Sequence, residues 1–458
     1  MAEQNNLATG SLSTLESVVM GVAGSAPAFS VAVTTATIVA SVGTLSVGSI
    51  FYCGFIMFGI MLAFIHLNEM KPHAGATYAW VGRVFGPNWG FFAGWGLLVA
   101  SVVFMVSATI PAATSTLVLF APDYVENTNW VTLVAAIWLT VVTIVVTKGI
   151  RHASNAQMAL TFIETGIVVA LILGALYYFA GTPAHTPSLE WISPSSFTPT
   201  AFATGALTAI FFYWGWDVTL NLGEETKEGT PQPSGQGAFW AMIALMIFYM
   251  VMLITVLIAL SDEEIAAANT NVLYALANKV FSSPWSYMAV LSTILSTVGT
   301  IETQILQFSR TMFAMARDDA LNPRYATIHP EWQTPWIATG AIWLLGMILL
   351  FSSSYMPTVS AILQASILAI GFQICFYMSL AAFACAWQYR DKLNAGFVPA
   401  ISYVLWPLLS GLFMVFVALY SIPTFDTVTN VIGIGGLLVG FIPLMMGKMR
   451  RQKQLAAA

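Results

Sequence analysis

The chain is short of charge. Only 8% of its 458 residues are Asp, Glu, Lys or Arg, against about 25% in an ordinary soluble chain. A water-soluble globule is excluded, and no nucleic-acid partner is expected. Cysteine is scarce too. Cys53, Cys375 and Cys385 all sit in apolar runs with no ligand spacing, which excludes a disulfide framework and a thiolate metal site. The roughly ten-residue alternating segments of a membrane barrel are missing. No nucleophile, base and metal-ligand grouping falls at one depth, so an enzyme is not expected. The leader "MAEQNNLATGSLSTLE" lacks a basic segment and a cleavage site, and no removable signal is expected from it.

What the chain has is apolar length, with 58% hydrophobic residues. Stretches of 20 or more mostly apolar residues recur from end to end, each able to cross about 30 Å of hydrocarbon. Reading between polar breaks gives twelve spans near 15–42, 46–69, 88–119, 130–147, 156–180, 199–223, 236–260, 284–315, 336–353, 358–388, 397–420 and 426–447. "KPHAGATYAWVGRVFGP" between the second and third is too polar to cross and predicts a short interfacial helix. The connections 181–198 and 261–283 read as loops. With the N-terminus in the cytoplasm, every Lys and Arg but Lys279 falls on the inner side, fourteen of fifteen. Cations resist translocation, so this count supports twelve spans with both termini cytoplasmic, and an inner (plasma) membrane location is expected. The basic end, "GKMRRQKQLAAA", reads as a topology anchor.

Two spans are interrupted. The first carries Gly21, Gly24, Ser25 and Pro27 near its middle, within "GVAGSAP". Pro27 has no N–H to give and opposes helical bonding in the turn before it, which frees carbonyls around Ala23. The sixth carries "FFYWGWD", with Gly215 between two tryptophans and Asp217 following. A packed proline kink is the alternative for either span alone. In lipid, however, a helix breaks only where protein, water or solute satisfies its backbone. The two breaks also lie five spans apart, at matching positions of two five-helix halves that an odd span number makes opposite in topology. Paired interruptions of that kind point to a secondary transporter's solute site.

Three acids lie inside spans, Glu164, Asp217 and Glu302, with no Lys or Arg at their depth. A charge at the bilayer centre costs at least about 2.5–3.5 kcal/mol on insertion scales. Protonation, a bound cation, or both are implied, and a carboxylate that exchanges protons couples a gradient to transport. The structural alternatives are a neutral interhelical hydrogen bond for Glu164, a cap on the following half-helix for Asp217, and a polar network for Glu302. His66 is a candidate partner of Glu69 or Glu16 at the inner end of the second span. Phe29, Phe211, Phe212, Tyr213, Trp214 and Trp216 gather at the breaks as candidate lids over a small solute.

Three stretches carry a resemblance. "HAGATYAWVGRVFGPNWGFFAGW", "GWDVTLNLGEETKEGTPQP" and "FSRTMFAMARDDALNPRYATIHPEWQTP" resemble the loop after the second span, the sixth span with its loop, and the loop after the eighth span of the amino acid–polyamine–organocation transporter superfamily. The resemblance implies an all-α fold of twelve spans. Residues 1–14 form a cytoplasmic leader, 15–180 and 199–388 two inverted five-helix repeats of the leucine-transporter type, 397–447 two peripheral helices and 448–458 the tail. Gly24, Ser25 and Ala26 match the family's Gly-Ser-Gly, whose N–H groups receive a substrate carboxylate; Ala26–Pro27 departs from it and weakens that recognition. Phe211 matches an aromatic gate, and Asp217 an acid implicated in proton sensitivity. Glu164, fifteen residues after Gly149, stands where cationic amino acid transporter relatives have a proton-coupling lysine. The expectation is a proton-coupled importer of an amino acid or related organic amine, or else a carrier of a polyamine or monoamine without a carboxylate. Its site would comprise Gly21, Ala23, Gly24, Ser25, Ala26, Phe211, Tyr213, Trp214, Gly215, Asp217 and Glu302, with Asp217 and Glu164 in proton coupling. No cofactor is called for, and Na⁺ stays open as the coupling ion.

Overall fold

The computed structural model describes residues 12–148, 150–226 and 232–457. Gly149, Lys227 and the "KEGTP" segment lie outside the described residues, as do the first eleven residues and the side chains of Arg151 and His152. Helices dominate. Among the described residues there is no sheet, only an isolated bridge between Leu12 and Thr226. Ten helical stretches among the described residues are long and apolar enough to cross a membrane by length and composition.

The first stretch is Thr14–Met70. It comprises α1 (Thr14–Ser25), α2 (Pro27–Val42), a turn at Gly43 and α3 (Ser46–Met70). A capping box starts α1, with Ser13 and Glu16 satisfying each other's backbone N–H groups. Glu16 is thereby spent, and His66 pairs with Glu69 at 3.3 Å. The short helix expected after the second span is α4 (Thr77–Phe85), followed by α5 (Pro87–Phe120), α6 (Thr128–Thr147) and α7 (Ile150–Phe179).

The sixth span is in two pieces, α8 (Pro199–Tyr213) and α9 (Val218–Asn221), before α10 (Gln232–Ala259). The 261–283 connection is not the loop expected. It holds α11 (Asp262–Ala268) and α12 (Val272–Val280), and α11 opens on a second capping box, Ser261 with Glu264. That Ser-x-x-Glu spacing was readable in the sequence. Then come α13 (Tyr287–Arg317), α14 (Trp336–Ser353) and α15 (Val359–Gln388). The remainder is α16 (Phe397–Pro399), α17 (Trp406–Ser421), α18 (Thr427–Asn430), α19 (Gly436–Val439) and α20 (Phe441–Ala457), with π-turns joining α16 to α17 and α18 to α19. The basic tail continues α20 as helix, and Arg450 and Arg451 bond the Leu321 and Asp318 carbonyls after α13.

Burial sorts these helices. α5, α13 and α15 are mostly enclosed, whereas α6, α14, α17 and α20 turn Leu, Ile and Phe side chains outward, as lipid-facing helices do. Contacts among the four spans around the breaks fix their directions. Val42 meets Gly205, Gly24 meets Gly215 and Gly21 meets Thr219, so the first and sixth spans run antiparallel. Gly54 meets Met246, Phe58 packs on Phe239 and Asn68 bonds Ser234, so α3 and α10 also run antiparallel. By contrast Ser17 meets Gly237 and Gly21 meets Ala241, so α1 and α10 run parallel.

Candidate substrate site

The break in the first span follows from two residues. The residue before a proline is steered out of the right-handed helical region. Ala26 accordingly leaves it, at φ 44° and ψ 71°, a left-handed conformation that costs a non-glycine residue about 1–2 kcal/mol. Pro27 then starts α2 at the first helical position, where its missing N–H is no loss. The break in the sixth span pivots on Gly215, at φ +113°. A Cβ on Gly24 would collide with the Gly215 carbonyl, and one on Gly215 with the Gly24 carbonyl. The two breaks are in backbone contact, which only glycine allows on both sides.

Buried hydroxyls serve the freed carbonyls. Thr300 Oγ1 on α13 donates to the Gly24 carbonyl at 2.7 Å. The Ser25 carbonyl accepts from Tyr249 of α10 at 2.8 Å and from Ser30 at 2.9 Å. Gly21 and Ala23 stay within α1. Gly24 and Ser25 are its last residues, and the Ala26 N–H turns back to the Val22 and Ala23 carbonyls. The expected N–H cradle from Gly24 to Ala26 is therefore not presented to the break: the chain leaves the helix after these groups, not before them.

Asp217 is 1% exposed and occupies the cap position of α9 without capping it. Its Oδ2 instead accepts from Gln307 at 2.8 Å and from Tyr377 at 2.9 Å. Tyr377 accepts in turn from Trp214 Nε1 at 2.6 Å, which ties the acid to the break. Phe29, Phe104, Phe211 and Trp214 form an aromatic cluster beside it, with Phe104 as the centre, edge-on to Phe29 and Trp214 and tilted against Phe211. Tyr213 points elsewhere, donating to the Ile50 carbonyl on α3.

Glu164 does join the first break. Its Oε1 accepts from the Ala28 N–H at 3.0 Å. Glu302 does not. Ser296, Thr300, Gln307 and Thr311 define the α13 face that meets the broken spans. At about 100° per residue, Glu302 lies about 200° around the helix from Thr300. It is buried, and its Oε1 has no hydrogen-bond partner among the described residues.

One side of the site is closed by polar contacts that sequence reading missed. Arg310 and Glu225, each no more than 1% exposed, form a two-bond ion pair at 2.9 and 3.1 Å. Asn221 donates to the Ala74 carbonyl and to Thr311, both at 2.9 Å. Beyond them Arg317 makes two 2.9 Å bonds to Glu224, which accepts from the Ala74 N–H, while His73 sits 3.0 Å from Arg317. Burial raises the Glu224 carboxyl, but the bonds and charge of Arg317 outweigh it and hold it below its ordinary value. Burial pushes the His73 imidazole down. The sequence signal for this closure was the charge group "GEETK" facing "SRTMFAMAR"; nothing local paired its members.

Two touching breaks with acids and aromatics around them make up the candidate solute site. The family described as amino acid permease matches residues 11–442. The chain belongs to that family. It is 26% identical over 305 residues to the serine/threonine exchanger SteT of Bacillus subtilis, a match covering 64% of this chain and 65% of that protein. It is 24% identical over 369 residues to the low-affinity putrescine importer PlaP of Escherichia coli, covering 77% and 75%. It is 23% identical over 412 residues to the human cystine/glutamate transporter, covering 87% and 78%. This permease is a multi-pass membrane transporter, and the family and these relatives are carriers, not enzymes.

Proposed function

We propose that this permease is a proton-coupled secondary transporter that imports an amino acid or related organic amine across the plasma membrane by alternating access. The observation that carries the reading is the buried backbone contact of two antiparallel broken spans, with Asp217 and Glu164 beside it and, among the described residues, no basic side chain bound to either. The opposed directions of the first and sixth spans, and of α3 and α10, support twelve crossings in two inverted repeats, 15–180 and 199–388, with 397–447 peripheral. The cation distribution supports cytoplasmic termini.

In this reading the solute's ammonium takes over from Thr300, Tyr249 and Ser30 at the Gly24 and Ser25 carbonyls. Asp217 carries the exchangeable proton, and its bond to Tyr377 reports that proton to Trp214. The bundle of the first, second, sixth and seventh spans rocks against the rest, opening the Arg310–Glu225 and Arg317–Glu224 closure inward. The solute of SteT, by its name, is serine or threonine, and that of PlaP is putrescine; both are amines.

The test is uptake into proteoliposomes of labelled amino acids and amines under an imposed pH gradient. Saturable uptake is expected, stimulated by outside acid and abolished by a protonophore, with a flattened pH profile in Asp217→Asn. Non-saturable flux, or uptake indifferent to the gradient, overturns the reading.

A further inference from the structure

Every N–H at the start of α2 is accounted for. Pro27 has none. Ala28 donates to Glu164 Oε1 at 3.0 Å, Phe29 to Ser296 Oγ at 3.1 Å and Ser30 to the Ala26 carbonyl at 2.8 Å. The preceding N–H, that of Ala26, is spent on Val22 and Ala23. A half-helix N-terminus is where an anionic solute group is received, because unpaired N–H groups and the helix dipole point there. In this chain that end already holds a carboxylate, brought by α7 and 3% exposed.

The rest of the site is rich in acceptors. The Gly24 and Ser25 carbonyls and Asp217 Oδ2 all accept, from the movable donors of Thr300, Tyr249, Ser30, Gln307 and Tyr377. An ammonium can replace such donors. A second carboxylate would find no free N–H at α2 and would lie against Glu164, and like charges brought together in a dry site repel strongly.

We propose that Glu164 stands in for the solute's carboxylate, so that the site selects organic amines lacking a carboxylate over the corresponding amino acids. Glu164 is then a specificity-determining residue. This rests on the transport reading above and narrows its substrate class.

The test uses matched pairs on the purified full chain: lysine and cadaverine, tyrosine and tyramine, leucine and 3-methylbutylamine. Binding is read by thermal shift and by competition for uptake. At least one amine is expected to bind at least about tenfold more tightly than its amino acid. Glu164→Gln, which keeps the side-chain shape, and Glu164→Ala, which frees the Ala28 N–H, should each move that ratio toward the amino acid by about tenfold. If the wild type prefers the amino acid in every pair that binds, this proposal falls while the transport reading stands. A ratio unchanged in both variants also overturns it. Should neither variant fold, the wild-type ratios alone decide the question. If no member of any pair binds, the transport reading itself fails, and this proposal with it.

Discussion

Arg310 and Glu225 give the sharpest test of what keeps the site shut. The pair is buried on both sides and makes two charge-assisted bonds, with a further 3.2 Å bond from Arg310 to Ser309. Taking one partner away leaves an uncompensated buried charge, which costs about 3–5 kcal/mol. Taking both away and filling the space with apolar side chains removes the desolvation penalty with the attraction, and is often neutral or stabilising. Glu225→Leu and Arg310→Met should therefore each lower the melting temperature by roughly 3–5 °C in a chain of this length. The double variant Glu225→Leu, Arg310→Met should recover most of that loss. The assay is intrinsic tryptophan fluorescence on heating in detergent, checked by the monodisperse fraction after a fixed heat step, since unfolding of such a protein is commonly irreversible. The cycle isolates the coupling because each residue's main partner is the other. If either single variant melts with the wild type, or the double falls by the sum of the singles, the pair is not a compensated buried charge.

The other predictions concern backbone contact, pH and the acid relay. Gly24→Ala and Gly215→Ala should each abolish uptake, because the added Cβ strikes the opposite backbone; Gly166→Ala, which meets nothing within 4 Å, should leave uptake unchanged in the same assay. At His73, burial and the Arg317 and Lys71 cations lower the pKa against Glu224 and Asp318, so the folded chain binds fewer protons than the unfolded one. The stability this confers is present above the ordinary imidazole value of 6.5 and is lost as pH falls through the lower folded value. Thermal midpoints should fall from about pH 6.5 downward in the wild type but not in His73→Gln. Glu224, held low, acts in the same direction further down: its contribution is present above 4.5 and lost below it, and Glu224→Gln should lack that second fall. Tyr377→Phe removes the donor to Asp217 and the acceptor for Trp214, which should cost about 1–3 kcal/mol and displace the pH profile of uptake; an unmoved profile would separate Asp217 from coupling.

What was readable in the sequence, and what was not, divides along range. Glycine and proline inside apolar runs mark the breaks because lipid penalises loose backbone, and the acids stand out because nothing else is charged at that depth. Both signals are local. The partners are not: Tyr377 and Gln307 lie 160 and 90 residues from Asp217, Tyr249 is 224 from Ser25 and Thr300 is 276 from Gly24. Glu302 was grouped with the site by depth alone. Depth is set by position along a span, but facing is set by the phase of α13 against spans far away in sequence. The N–H groups of Gly24 to Ala26 failed as a cradle for a finer reason. Pro27 opens α2 and Ala26 alone makes the turn, so the N–H groups of Gly24 and Ser25 stay inside α1.

One helix links the first break to the polar seal. α13 reaches the Gly24 carbonyl through Thr300, Asp217 and Asn221 through Gln307, Glu225 through Arg310 and Glu224 through Arg317. These contacts descend from the first break to the polar seal along about 25 Å of helix, at 1.5 Å per residue. Three of the four go to the sixth span and its loop, and one to the first. Ser296, further up α13, adds a second bond to the first span by accepting from the Phe29 N–H. The broken spans also touch through Gly24 and Gly215, so they cannot part without losing that fit. α13 therefore touches both breaks and the polar seal, the connection that the proposed alternating access would use.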